Sequence, residues 1–246
     1  MSIAIHVADS AQELGKRAAQ IIAGLLRDAI EKQGEARIIL STGASQFDTI
    51  QALIEESVDW SKVEMFHLDE YVDLPEGHIA SFRKYLKERF VSKVALKAAY
   101  FVDGEGDVEQ HIAQLSKILR EKQVDVGVIG IGENAHIAFN DPPADFETEA
   151  AYKVVELDQK CKMQQVGEKW FSSIEEVPTH AITMCPKQIL SCKHIVSSVP
   201  HAVKAEAVYN TITSAVDPMI PATLLKTHPD WHLFIDKASA SKLLNS

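Results

Sequence analysis

Residues 124–142 combine a short apolar run with several side chains that can take part in chemistry. Apart from Asp125, the run is uncharged and rich in β-branched residues, which predicts a strand buried on both faces. Gly130 and Gly132 then allow a sharp turn and a close approach of the backbone to a small molecule. His136 follows among polar and acidic residues, and imidazole is the side chain best matched to proton transfer near neutral pH. The stretch predicts acid-base chemistry just beyond a strand end, although glycine turns of this kind are also common where nothing binds.

Two other predicted strands also end in polar residues. Ser-Thr-Gly-Ala-Ser at 41–45 lies between a predicted strand and a predicted helix, where free N–H groups and the positive helix end suit a phosphate. The same residues can simply cap the helix, so both interpretations stay open. Asp69 and Glu70 follow the predicted strand 63–68. Because neighbours in an extended chain point in opposite directions, we expect only one of these carboxylates to face a pocket.

The elements that must position these residues alternate between apolar strands and amphipathic helices. Such alternation predicts an α/β protein with a doubly wound, mostly parallel, Rossmann-like sheet and helices on both faces, forming a single domain over 1–246. Ligands bind beyond the carboxyl ends of such strands, and Lys204 in the helix after strand 194–198 can reach that edge, although most helical lysines are solvated. Strands are predicted at 3–7, 36–40, 63–68, 99–102, after 124, at 181–184, 194–198 and 231–235, and helices at 10–33, 47–54, 81–90, 108–123, 160–170 and 201–211. The segment between 142 and 160 is interpreted as polar and without a strand.

Composition limits the classes of function. The chain has 246 residues and a formal net charge of −10, which argues against a nucleic-acid surface because such a surface needs clustered Lys and Arg. No apolar run reaches membrane-spanning length and the first residues lack a basic flank before a long apolar core, so we expect a cytoplasmic protein without a membrane partner. Cys161, Cys185 and Cys192 form no Cys-x-x-Cys pair, which predicts reduced structural thiols. His67 and His78 flank the acidic pair without compact ligand spacing, and no metal site is predicted.

Four motifs together resemble the glucosamine-6-phosphate deaminase (isomerase) family, which shares a fold group with 6-phosphogluconolactonases and ribose-5-phosphate isomerases. They are Ser-Thr-Gly-Ala-Ser at 41–45, Phe-His-Leu-Asp-Glu-Tyr-Val-Asp-Leu-Pro at 66–75, Gly-Ile-Gly-Glu-Asn-Ala-His-Ile-Ala-Phe-Asn-Asp-Pro at 130–142, and Lys204-Ala205. The resemblance spans nearly the whole chain in order, and the second and third motifs are specific. It implies release of ammonia from an amino sugar phosphate coupled to aldose-ketose isomerisation.

The resemblance also implies roles for individual residues. Asp69 corresponds to the base that removes the C2 proton, and His136 to the residue that opens the sugar ring by moving a proton between the ring oxygen and the C1 hydroxyl. Asn134 and Asp141 match flanking catalytic positions. No metal or organic cofactor is implied, because the substrate's own carbonyl acidifies the C2 proton. The implied partner is a sugar phosphate, and association of the chain into a homo-oligomer is left open. The residues assigned to substrate or phosphate binding are Ser41, Thr42, Gly43, Ala44, Ser45, Gly132, Glu70, Lys204 and, where relatives carry an arginine, Lys169.

The sequence departs from the family pattern at several positions, which leaves rival functions open. Asn134 stands where many deaminases have Asp, and Asp141 where Glu is common. A 6-phosphogluconolactonase usually shows Asp-Glu-Arg where this chain has Asp-Glu-Tyr at 69–71. It usually shows Ser-Leu-Phe-Pro where this chain has Phe-Asn-Asp-Pro at 139–142. Both comparisons favour the deaminase over the lactonase. A non-catalytic sugar-phosphate sensor is a second rival. The galactosamine epimer differs from glucosamine at one hydroxyl, which motif comparison does not distinguish.

Overall fold

The computed structural model describes residues 3–244. Its strands are β1 (Ala4–Ala8), β2 (Ala36–Leu40), β3 (Val63–His67), β4 (Asp69–Tyr71), β5 (Ala98–Tyr100), β6 (Val126–Val128), β7 (Tyr152–Glu156), β8 (His180–Met184), β9 (His194–Val199) and β10 (Trp231–Asp236). Its helices are α1 (Ala11–Gln33), α2 (Phe47–Leu53), α3 (Phe82–Leu86), α4 (Val108–Arg120), α5 (Gln159–Gly167), α6 (Pro186–Leu190), α7 (Ala205–Thr213) and α8 (Ser241–Leu244).

Seven of the strands form one parallel sheet in the order β1-β10-β9-β6-β2-β3-β5. Successive residues of β2 point to opposite faces, so that Ile38 packs in a core with α1 and Ile39 in a second core with α4. Both cores are apolar, and every β2 residue is buried, including Arg37, which is paired with Glu64 at 2.9 Å. The predicted doubly wound, mostly parallel α/β fold with helices on both faces is therefore confirmed.

A second, antiparallel sheet was not predicted. Strands β4, β8 and β7 pair in the order β4-β8-β7. The acidic pair therefore belongs to a separate short strand and is not simply the end of β3, while β7 lies in the segment interpreted as polar. The break falls at Leu68, whose carbonyl accepts from the Met184 N–H at 3.0 Å. This pairing places Asp69 opposite Thr183, near the carboxyl ends of the parallel strands.

Within residues 3–244, no helix combines the length and apolar composition needed to cross a membrane.

Candidate active site

A cleft that is partly open to solvent lies where β2 and β6 end. It is lined by segments that are far apart in sequence, and nine predicted site residues meet there. They are Ser41, Thr42, Gly43, Ala44, Ser45, Asp69, Gly132, His136 and Lys204.

The loop at 41–45 offers backbone donors to the cleft. Gly43 adopts φ +100°, a conformation that favours glycine, and a 3₁₀ turn at Ala44–Gln46 leads directly into α2. The N–H groups of residues 42–45 donate to no acceptor within residues 3–244. Free backbone donors of this kind suit a phosphate, because each can hydrogen bond to an anionic oxygen.

Lys204 supplies a buried cation to the same cleft. It ends the 3₁₀ turn Ala202–Lys204 and is only 5% exposed. Its ammonium makes no hydrogen bond or salt bridge with any residue in the described range 3–244. Burial lowers the pKa of Lys204, and the more distant carboxylates of Glu168 and Glu133 oppose that effect. A buried cation without a bonded anion is costly, so the arrangement favours an anionic ligand.

Of the adjacent pair Asp69 and Glu70, Asp69 is the carboxylate that faces the cleft. It is 5% exposed. Burial, and secondly the negative charge of Glu70, raise the pKa of Asp69 well above its ordinary value. A carboxylate whose pKa is raised is a stronger base than an ordinary aspartate, which suits a group that must take a proton from carbon.

Glu70 was assigned to substrate binding, and the structure directs it away from the cleft. Its Oε1 accepts from the N–H groups of Tyr71 at 3.0 Å and Phe82 at 3.2 Å. Its Oε2 accepts from the Ser81 hydroxyl at 3.0 Å and the Arg83 N–H at 2.8 Å. Glu70 therefore holds the first turn of α3, and the expectation that only one carboxylate of the pair faces the pocket is confirmed.

His136 faces the cleft with a carboxylate behind its ring. Its Nδ1 lies 3.1 Å from Asp141 Oδ1, although the contact lacks the alignment of a hydrogen bond. Asn134 donates through Nδ2 to the same Oδ1 at 3.1 Å and accepts from the His136 N–H at 3.1 Å. Asp141 is therefore the residue whose side chain contacts the imidazole. Asn134 does not contact the ring and instead hydrogen bonds to the Asp141 carboxylate and to the His136 backbone. Neither Asn134 nor Asp141 lines the cleft itself.

Gly132 is required because the His136 ring packs directly on it. A Cβ atom at position 132 would lie 2.2 Å from His136 Nε2 and 2.3 Å from Cε1, far inside van der Waals contact. The Gly132 N–H also donates to the His136 carbonyl at 2.9 Å, which closes the loop around the ring. Gly132 thus positions the imidazole as well as lining the cleft.

Asp141 is held in its charged form by the groups around it. Burial opposes its ionisation, but contacts with His136, Asn134 and Cys161 outweigh burial and lower the pKa of Asp141. The Cys161 thiol is buried, and burial together with the negative charge of Asp141 raises its pKa. Cys161 is therefore a protonated thiol directed at the carboxylate that accompanies the imidazole.

A family model described as glucosamine-6-phosphate isomerases/6-phosphogluconolactonase matches residues 9–233. The chain belongs to this family. A glucosamine-6-phosphate deaminase of Listeria monocytogenes serotype 4a is 35% identical over 221 residues, covering 88% of this chain and 93% of that protein. One of Lactobacillus delbrueckii subsp. bulgaricus is 31% identical over 240 residues, covering 97% and 99%.

Solved structures of the glucosamine-6-phosphate isomerase/6-phosphogluconolactonase family are similar over nearly the whole chain. A monomeric glucosamine-6-phosphate deaminase has a TM-score of 0.88 at 28% identity, covering 97% of this chain and 99% of that chain. A 6-phosphogluconolactonase of Thermotoga maritima has a TM-score of 0.80 at 13% identity, covering 96% and 100%, and shows the shared fold alone.

In this family member, helix α5 supplies cleft residues that the sequence did not indicate. Gln165 accepts from the buried Tyr71 hydroxyl at 2.7 Å, and Gln164 donates to Glu168 at 2.8 Å. The spacing of Cys161, Gln165 and Glu168 at i, i+4 and i+7 places them on one helical face, and that pattern could have indicated a shared environment. The aromatic residues Phe82 and Phe139, also not assigned from the sequence, line the cleft as well.

Lys169, assigned to phosphate binding, lies outside the cleft. It has a positive φ of 64°, which turns the chain after α5. It lines a separate surface depression with Trp170, Phe171 and His78, whereas its neighbour Glu168 faces the cleft. Lys204 is therefore the lysine available to an anion in the cleft.

Proposed function

We propose that the protein is a glucosamine-6-phosphate deaminase, which converts glucosamine 6-phosphate and water into fructose 6-phosphate and ammonia. The observation that carries this proposal is the meeting, in one cleft, of a carboxyl group with a raised pKa, an imidazole backed by a carboxylate and an unpaired buried cation. Relatives named as glucosamine-6-phosphate deaminases, at 31% to 35% identity over most of the chain, support the same reaction.

The substrate phosphate binds at the loop 41–45 and Lys204. Four free backbone donors at 42–45 meet its oxygens, and the buried ammonium supplies the opposite charge. Anchoring at this end places the other end of the sugar over Asp69 and His136, which line the same cleft. Fixing both reacting partners in this way removes much of the entropic part of the barrier.

His136 opens the sugar ring. Its imidazole moves a proton from the C1 hydroxyl to the ring oxygen, so that the C1–O5 bond breaks and the open-chain aldehyde forms. Asp141 holds Nδ1 and stabilises the positive charge while the ring carries both protons. The contact between Nδ1 and Asp141 tightens on substrate binding, as catalytic hydrogen bonds in unliganded sites generally do.

Asp69 moves the C2 proton. Its carboxylate removes that proton from the open-chain amino sugar while the C1 carbonyl oxygen takes up a proton from solvent, which gives an enolamine. Asp69 then returns its proton at C1, which leaves an iminium ion at C2 that carries the charge of the proton gained. Water adds to the iminium carbon, ammonia leaves and the C2 ketone of fructose 6-phosphate remains. The raised pKa of Asp69 suits a group that must both accept and donate within one turnover.

The test is product formation from three substrates under the same conditions. Ammonia release should be observed with glucosamine 6-phosphate, at a kcat/KM at least about tenfold above that for its galactosamine epimer. No acid release above the spontaneous rate should occur with 6-phosphogluconolactone. Ammonia from the galactosamine epimer alone, or lactone hydrolysis alone, would replace the proposed substrate, and no turnover of any of the three would overturn the proposed activity.

A further inference from the structure

The groups behind the catalytic imidazole form a compact set of potential metal ligands. His136 offers a ring nitrogen, Asp141 a carboxylate oxygen and Cys161 its sulfur, and these atoms lie within 4.8 Å of one another. The first two residues belong to the loop after β6 and the third to α5. Three potential ligands from two separate segments therefore lie close enough together to bind a single ion.

Two buried atoms of these side chains lack a hydrogen bond within the described part of the chain. His136 Nδ1 and Asp141 Oδ2 are both buried, and neither has a hydrogen-bond partner within residues 3–244. Cys161 is 1% exposed and its sulfur forms no disulfide. Buried polar atoms are normally paired, so these two unpaired atoms close to the Cys161 sulfur indicate that the cluster can accept a ligand.

The donor types match zinc. A thiolate, an imidazole and a carboxylate are the ligands that Zn²⁺ takes, and three protein ligands leave a fourth position for water. Zinc–ligand bonds of about 2.0 to 2.3 Å require tetrahedral ligands about 3.3 to 3.8 Å apart, so the cluster needs to contract by about 1 Å. One thiolate and one carboxylate together balance the two positive charges of Zn²⁺. Such compensation is needed because an unpaired charge is costly to bury.

We propose that His136, Asp141 and Cys161 form an inhibitory site for a thiophilic divalent cation of the Zn²⁺ type. Metal binding displaces the thiol proton and occupies His136 Nδ1, which leaves the remaining ring proton on Nε2, so the ring cannot accept a proton from the sugar. The loop 41–45 and Lys204 stay free to hold the phosphate. Inhibition should therefore lower kcat with little change in KM, and this effect on turnover rests on the proposed function.

The binding test uses Co²⁺, because a cobalt–thiolate bond gives a charge-transfer absorption that carboxylates and imidazoles alone do not produce. Untagged protein should bind one Co²⁺ per chain with this absorption. The absorption should be lost in Cys161→Ser and kept in Cys185→Ser, a control in which the altered residue is a second buried thiol at the start of α6, outside the cleft. Asp141→Asn, which keeps the side-chain shape, should weaken Co²⁺ binding by at least about tenfold.

The inhibition test uses Zn²⁺ with Mg²⁺ as the control, since Mg²⁺ prefers oxygen ligands and octahedral geometry. Zn²⁺ should lower kcat, and a chelator should restore it. The Zn²⁺ concentration that halves the activity should be at least about tenfold higher for Cys161→Ser than for the parent protein, each measured against its own activity without Zn²⁺. No cobalt–thiolate absorption in the parent protein, or an unchanged absorption in Cys161→Ser, overturns the site. Because the cobalt measurement needs no turnover, a silent deaminase assay with an intact cobalt signal rejects the proposed function and leaves the metal site supported.

Discussion

The substitution Gly132→Ala tests whether the observed place of the His136 ring is needed for catalysis. An added Cβ would lie 2.2 Å from His136 Nε2, whereas ordinary contact begins at 3.4 Å, so the ring must withdraw by about 1.2 Å. A displacement of about 1 Å in a reacting group can cost on the order of 100-fold in rate, or about 2.7 kcal/mol of transition-state stabilisation. We therefore expect kcat for ammonia release to fall by about 100-fold or more.

Steady-state kinetics of ammonia release distinguish this effect from a general loss of structure. KM should change by less than about threefold, because the three atoms nearest to the added methyl group all belong to the His136 ring and not to the proposed phosphate-binding residues. The control is Gly24→Ala in the middle of α1, where the new Cβ would meet only the Arg27 side chain at 3.9 Å. The control should keep the parental kinetics and gain about 0.5 to 1 kcal/mol of stability. A Gly132→Ala variant with parental kcat would refute the reasoning about the ring position.

Three further predictions concern charge in the site. Lys204→Met should raise KM for the sugar phosphate by roughly 10- to 100-fold, because one charge-assisted interaction is lost. Burial lowers the pKa of Lys204, so the charged form of this lysine destabilises the folded protein. The Lys204→Met variant should therefore have a higher thermal midpoint than the parent at neutral pH, and this difference should shrink as rising pH neutralises the lysine. Asp141→Asn should lower kcat by roughly 10²- to 10⁴-fold with KM nearly unchanged, whereas Asp145→Asn, at an exposed position in the same loop, should keep parental kinetics. The acid limb of the kcat/KM profile should lie at a higher pH than an ordinary aspartate gives, because the base is lost as pH falls through the raised pKa of Asp69. Glu70→Gln removes a negative charge beside Asp69 and should move that limb to lower pH. An unmoved limb would contradict the electrostatic coupling of Asp69 and Glu70.

The parallel sheet could be predicted from the sequence because each of its elements carries its own pattern. The helix predicted at 10–33, for example, is α1, and the Ser10 side chain, of a residue type that favours helix starts, accepts from the Glu13 N–H. The antiparallel sheet could not be predicted in the same way. β4 has only three residues, and it is fixed by pairing with β8, a contact between segments more than a hundred residues apart. In β7 the β-branched pair Val154 and Val155 was present in the sequence, but it stands between Lys153 and Glu156 in a segment whose overall polarity obscured it.

The part of the site at the strand ends could also be predicted, because parallel strands bring their carboxyl ends to one edge. That principle brings together the loop 41–45, Asp69 and His136 without knowledge of the packing. The contribution of α5 depends on which helix packs across that edge, which is a tertiary property. Glu168 faces the cleft whereas its neighbour Lys169 does not. This difference depends on the positive φ at Lys169, a backbone angle that sequence patterns do not specify.

The most direct test of the central claim is ammonia release from glucosamine 6-phosphate by the parent protein and by Asp69→Asn, with substrate binding measured in parallel by calorimetry. The variant keeps the side-chain shape and removes the base, so turnover should be lost while the dissociation constant stays within about tenfold of the parental value. Asp73→Asn, at an exposed position four residues along, is the matched control and should turn over normally. Parental turnover in Asp69→Asn would contradict the account.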